Sequence, residues 1–183
     1  MVTYQPVTQA DITELAQIMR EVDRQETAAA TGESPEVGLT RSWKDSIECF
    51  SARDEAGVLA VWGVSKAASE DAGCPWMVGT ERVADYAKLL VRDARITVNR
   101  WSDQFMVLEN FVSVDNVTSI AWLQALGFTI GSTIPEFGVG KKPFYHFYRI
   151  NHVRCHPGRN ADCLSGVSSS VLRPSSTSGQ EAR

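Results

Sequence analysis

Apolar residues recur at helical spacing early in the chain. Ile12, Leu15, Ile18, Met19 and Val22 form one stripe, which predicts a first helix. Thr8 stands just ahead of it with Asp11 three residues on, the pattern of a capping box. A short strand over residues 2–6 precedes it. Residues 25–38 lose the period, are Ala-rich and polar, and carry Gly and Pro, which predicts a fraying helix end and then a loop. Thr40 is the expected cap of a second, short helix bearing Trp43 and Ile47. Strand-like runs at 49–53 and 58–65 flank Asp54-Glu55-Ala56-Gly57, a hairpin whose tight turn needs Gly57. A further short strand covers 75–78.

Thr80 is the expected cap of the longest helix, residues 81–100. Its inward stripe is Val83, Tyr86, Ala87, Leu90 and Ala94, and its outer face carries Glu81, Lys88, Arg92, Asp93 and Arg95. The clearest pattern lies at 105–128. It reads as a strand with Phe105, Val107, Phe111 and Val112, a helix capped by Asp115 or Asn116, and Gly127 as the left-handed residue that ends it. Strands at 128–132 and 144–150 follow. In the last of these, Tyr145 and Phe147 fall on one face and His146 and Tyr148 on the other, so one face is expected in the core.

Composition changes after Ile150. Residues 151–183 carry few large apolar side chains and many Ser, Gly, Pro and Arg, too little to bury for independent folding. The chain of 183 residues therefore divides into one α/β domain, 1–150, and a polar C-terminal arm, 151–183. The arm is expected to extend, or to order against a partner. The net charge of −4 implies no basic face, so nucleic acid is not expected as the main partner. The N-terminus has no charged region followed by an apolar run, and no stretch is apolar enough to span a membrane, so synthesis in the cytoplasm is expected. Cys49, Cys74, Cys155 and Cys163 are too few and scattered for a disulfide framework. His152, Cys155, His156 and Cys163 have ligand chemistry, but their spacing is not one that zinc uses, so no metal site is expected. Gly138-Val139-Gly140-Lys141-Lys142 lacks Walker spacing and reads as a solvated loop.

The element order β-α-α-β-β-β-α-β-α-β-β resembles the GNAT acetyltransferase fold over residues 1–150. Asn116, Ala121 and Leu126-Gly127-Phe128 carry that resemblance. It implies a mixed, mostly antiparallel sheet flanked by helices. It also implies a site for acetyl-coenzyme A at the start of the long helix, where Gly79, Thr80, Arg82 and Asn116 are the candidate contacts. A diphosphate there needs bare backbone N–H groups. Val78-Gly79-Thr80-Glu81-Arg82-Val83-Ala84 offers a single glycine, and Glu81 places a negative charge beside it. The family's acid, a Tyr four residues before the glycine of Leu-Gly-Phe, is replaced by Leu123, which has no proton to give. Glu109 is the candidate base.

A narrower resemblance rests on Cys74-Pro75-Trp76-Met77-Val78, the long charged helix without its glycine loop, and the Asn116-x-x-Ser119-Ile120 helix before a Leu-Gly turn. The chain is similar here to the internal virion protein A family of short-tailed phages. This resemblance implies a non-catalytic structural or assembly protein of a bacteriophage virion, linked to genome ejection. It would bind tail, portal or internal core proteins partly through the arm, without a cofactor. The alternative expectation is a divergent N-acetyltransferase that uses acetyl-coenzyme A, with Glu109 as base.

Overall fold

The computed structural model describes residues 1–151. The expected arm beyond Asn151, with the His152, Cys155, His156 and Cys163 set, lies outside the described residues. Strand β1 (Thr3–Pro6) is followed by helices α1 (Gln9–Ile18), α2 (Glu21–Thr31) and α3 (Pro35–Asp45). Strands β2 (Ser46–Asp54), β3 (Gly57–Lys66) and β4 (Ala72–Gly79) come next. A 3-10 turn (Glu81–Tyr86) leads into α4 (Ala87–Gln104), and then β5 (Val107–Ser113), α5 (Val117–Ala125), β6 (Thr129–Phe137) and β7 (Lys142–Ile150).

One seven-stranded sheet runs in the order β1-β2-β3-β4-β5-β7-β6. Every neighbouring pair is antiparallel except β4 with β5. The expected α/β architecture, a mostly antiparallel sheet flanked by helices, is the one observed. Alternation divides the residues of each strand between two covered faces. Trp76 and Val78 of β4 pack with Ile12, Leu15, Met19 and Leu39 beneath α1 and α3. Leu108 and Val112 of β5 pack with Val98 and Trp101 of α4 and with Phe128 and Phe147.

Local chemistry accounts for most boundaries. Thr8 accepts from the Asp11 N–H at 3.2 Å, and Asp11 accepts from the Thr8 N–H at 2.9 Å, so the capping box forms. Asp11 is also buried against Arg53 of β2, and Glu14 accepts from Arg53 at 3.0 Å and from the Val58 N–H at 2.7 Å. Helix α1 is thereby tied to the β2–β3 hairpin. Gly57 (φ 121°) and Gly127 (φ 85°) hold the left-handed conformations expected of them. Asn116, not Asp115, caps α5, accepting from the Ser119 N–H at 3.2 Å.

Several expectations need correction. Residues 25–38 hold most of one helix and the start of another rather than a loop. Gly32 is the left-handed C-cap of α2 and Pro35 is the first residue of α3, so the breakers mark helix ends. Thr40 therefore lies inside α3. The long helix does not start at Glu81: a 3-10 turn comes first, and the Thr80 side chain makes no capping bond. Phe105 caps the end of α4 instead of opening the strand. On β7, Phe144 and Phe147 are both buried although they lie on opposite faces, because helices cover the sheet on both sides.

The β6–β7 turn lies against α2. The Gly140 N–H donates to the Ala29 carbonyl at 2.8 Å, and a Cβ at Gly138 would fall 2.4 Å from the Ala30 carbonyl oxygen.

Leu108 is fully buried where β4 and β5 meet. Leu108→Ala should lower unfolding free energy by about 2–5 kcal/mol. Urea denaturation with an unchanged m-value checks this, and a loss below about 1 kcal/mol would count against the packing described.

Candidate functional site

The parallel pair β4–β5 sets the site. Its ladder holds only Ala72 with Val107 and Gly73 with Leu108, after which the strands part. Pro75 follows two residues on, and proline cannot donate to a ladder. The Asn110 side chain spans the first gap, donating to the Pro75 carbonyl at 3.0 Å. Beyond that bridge the sheet is open.

A cavity of about 690 Å³ occupies the opening. Glu26, Ala30 and Arg41 of α2 and α3 line it, and so do Leu90, Thr97, Trp122 and Leu123 of α4 and α5. These helices cover opposite faces of the sheet, so the cavity passes through it. Met77, Val78, Phe111 and Val112 form its strand walls. Helix α5 is strongly apolar yet has no buried residue, because its Ile120, Trp122 and Leu123 side face this opening and the core beside it.

A polar network holds the open end. Arg20 and Asp23 form a buried ion pair at 2.7 Å, and Arg20 donates to Ser119 of α5 at 3.0 Å. Asp23 accepts from the Asn116 amide at 3.2 Å and from the Gly79 N–H at 3.3 Å. The Arg20 N–H donates to the Gly79 carbonyl at 3.0 Å. This set ties the end of β4 to the start of α5. Glu26, one turn further along α2, accepts from the Asn116 amide at 3.0 Å and from the Ser113 N–H at 3.1 Å. Burial pushes the Glu26 carboxyl up to about 7, although the bonds from Asn116 and Ser113 favour its charged form. Asp23 adds to the rise and Arg20 opposes it.

The candidate contacts for coenzyme A do not converge. The Gly79 N–H is held by Asp23, and the Thr80 N–H donates to the Leu59 carbonyl at 2.8 Å. A Cβ at Gly79 would meet Val83 at 2.9 Å, so the bareness of this glycine serves packing. Arg82 turns away, donating to Asp54 at 3.2 Å and to the Val58 carbonyl at 3.0 Å. The Thr80 hydroxyl is buried with no partner among the described residues. Asn116 belongs to the network above. With the Gly79 and Thr80 N–H groups engaged and Arg82 turned away, these residues do not form a diphosphate cradle.

Glu109 lies at the vertex of the opening, where its carboxylate meets His146 Nε2 at 3.0 Å. Cys74 faces the same side, and burial pushes its thiol up to about 11, so it is not an activated nucleophile. Leu123 lines the cavity at the position where the family places its acid. Among the described residues, no group of three ligating side chains could hold a metal ion, and no helix is long and apolar enough to cross a membrane. Sequence reasoning missed Arg20, Asp23 and Glu26. They recur every third residue from the N-cap of α2 into its second turn, but only Glu26 falls in the stretch read as a fraying end, and the spacing of all three is that of an ordinary solvated face.

No protein-family model matches this chain, and no curated protein matches it. Solved structures do. Ard1 from Thermoplasma volcanium is 18% identical, with 81% of this chain and 97% of that chain covered, at a TM-score of 0.61. AAC(6')-Ib, solved with ribostamycin and coenzyme A, is 12% identical over 82% of this chain and 93% of that chain, at a TM-score of 0.59. A GNAT-family acetyltransferase from Streptococcus pneumoniae is 16% identical over 82% of this chain and 99% of that chain, at a TM-score of 0.56. The chain has the GNAT acetyltransferase fold. At such identities the likeness is one of fold. The narrower resemblance to internal virion protein A rests on the sequence pattern, and none of these three structures is a virion component.

Because Glu26 is raised from 4.5 to about 7, the folded chain holds a proton there that the unfolded chain releases. Its contribution to stability is complete below about 4.5 and is lost as pH rises through about 7. The fall in urea midpoint over this window should be steeper in the native chain than in Glu26→Gln. Parallel profiles would refute the assignment.

Proposed function

We propose that this protein is an N-acyltransferase that moves an acyl group from a pantetheine-type thioester, such as acetyl-coenzyme A, to an amine. The observation that carries this reading is the cavity through the sheet at the parted β4 and β5. Its walls come from both faces of the sheet, so two reactants held from opposite faces would meet at one point, which is how positioning lowers the barrier of a two-substrate reaction. The thioester arm would lie along Met77, Val78 and Val112, between α4 and α5. The amine would approach from the side of α2 and α3. Walls built of Leu90, Trp122, Leu123 and Phe111 exclude water, which would otherwise hydrolyse the thioester. The thioester supplies an activated carbonyl and a good leaving group. Leu123 gives no proton, so the departing thiolate takes its proton from the attacking nitrogen or from solvent.

The proteins named above support the reading in kind, since one of them was solved with coenzyme A and ribostamycin. The loop after β4 makes the present chain different. Its Gly79 and Thr80 N–H donors are already engaged, so the nucleotide end of coenzyme A should add little affinity.

A second reading is a non-catalytic scaffold of a bacteriophage virion, bound to other virion proteins. The occupied donors at Gly79 and Thr80 and the absence of an acid at Leu123 favour it. One measurement separates the two. Calorimetry should give micromolar binding of acetyl-coenzyme A, with S-acetylpantetheine within about tenfold of it, a difference of about 1.4 kcal/mol. Silence from both ligands at millimolar concentration would reject the acyltransferase and leave the scaffold.

A further inference from the structure

We propose that Glu26 is the base of this site and that the amine it serves carries a flat aromatic body. The inference rests on the acyltransferase reading above. Three observations carry it. Glu26 lines the cavity on the side of α2 and α3, opposite the helices between which the thioester arm would lie. The hydrogen bonds it accepts from Asn116 and Ser113 both fall on Oε2. These fix the carboxyl group while Oε1 keeps its lone pairs for a ligand. The surroundings are aromatic. Phe111 lies two residues before Ser113 on the same face of β5, and Phe144 pairs with Ser113 across the ladder. Phe137 bridges them, its ring 4.6 Å from each. All three rings line the cavity with Glu26. A carboxylate at the edge of an aromatic wall recognises an ammonium by charge and a flat apolar body by stacking.

Glu109, the base expected from the sequence, is engaged with His146 at the vertex and is not among the cavity-lining residues. The raised affinity of Glu26 for a proton suits transfer near neutral pH. Charged groups around it are Arg20 and Asp23 of the same helical segment, and Arg41 and Asp45 of α3, which line the same cavity. Lys66 of β3 lines it as well, while α5 and β5 contribute the neutral Asn116 amide and the Ser113 N–H.

The step balances as follows. Glu26 takes one proton from the substrate ammonium. The free amine attacks the thioester carbonyl, a C–N bond forms, and the C–S bond breaks with its electron pair leaving on sulfur. The second nitrogen proton passes to the thiolate, and Glu26 releases its own proton to solvent.

The test uses the full chain with acetyl-coenzyme A and 2-phenylethylamine. Native protein should show kcat/KM rising with pH to a plateau, with a midpoint near 7. Glu26→Gln should lose about 10²–10⁴-fold in kcat and that limb of the profile. Its affinity for acetyl-coenzyme A should be unchanged, and it should still unfold in one cooperative transition. Glu109→Gln should keep the limb. A direct readout is carboxyl carbon NMR: one glutamate should titrate near 7 and vanish in Glu26→Gln. Glu26→Asp, if Glu26→Gln does not fold, should keep the limb at reduced rate. Failure of the native protein to bind acetyl-coenzyme A or to transfer the acyl group overturns the reading beneath. Native transfer with a Glu26→Gln profile like the native one overturns the base. Native transfer to 2-phenylethylamine no better than to ethylamine overturns the aromatic class.

Discussion

The parting of β4 from β5 is the constraint on which the rest depends. Parallel neighbours in a sheet normally continue their ladder, and each separated N–H or carbonyl needs another partner. Here the ladder stops after two residue pairs. The structure meets the cost in three places: Asn110 spans to Pro75, Asp23 holds the Gly79 N–H, and Glu26 holds the Ser113 N–H. Side chains thus stand in for a missing strand partner at both ends of the gap. What remains between them is apolar, and helices close it from above and below.

A buried ion pair such as Arg20–Asp23 is a weak source of net stability, because both charges give up water. Its value here is positional. Each partner bonds to two other elements, so the pair fixes where α2, β4 and α5 sit relative to one another. Removing one partner would leave the other charged and buried, which is more damaging than replacing both.

Much of this was legible in the chain. The capping box at Thr8 and Asp11, the hairpin at Gly57, and the strand-helix-glycine run ending at Phe128 rely on local chemistry, and each formed. The α2–α3 region was not legible, because Gly and Pro break a pattern in the same way in a loop and at a helix end, and here Gly32 and Pro35 punctuate two adjacent helices. The site was half legible. Asn116 and Leu123 were placed on the right element, but the partners of Asn116 lie about ninety residues earlier on α2. Local pattern carries no signal for such a pairing. Gly79 illustrates the opposite failure: a glycine beside a helix start invites a phosphate, yet here it makes room for Val83.

The close approach of the β6–β7 turn to α2 has a consequence for how this molecule can vary. Gly138 and Gly140 bring two backbones together with no side chain between them. The turn therefore acts as a stop that sets the height of α2 above the sheet. A longer turn, or a side chain at either glycine, would lift that helix and carry Glu26 away from Ser113 and Asn116. The reach of an acid in the cavity is thus governed by the size of two residues more than a hundred positions downstream.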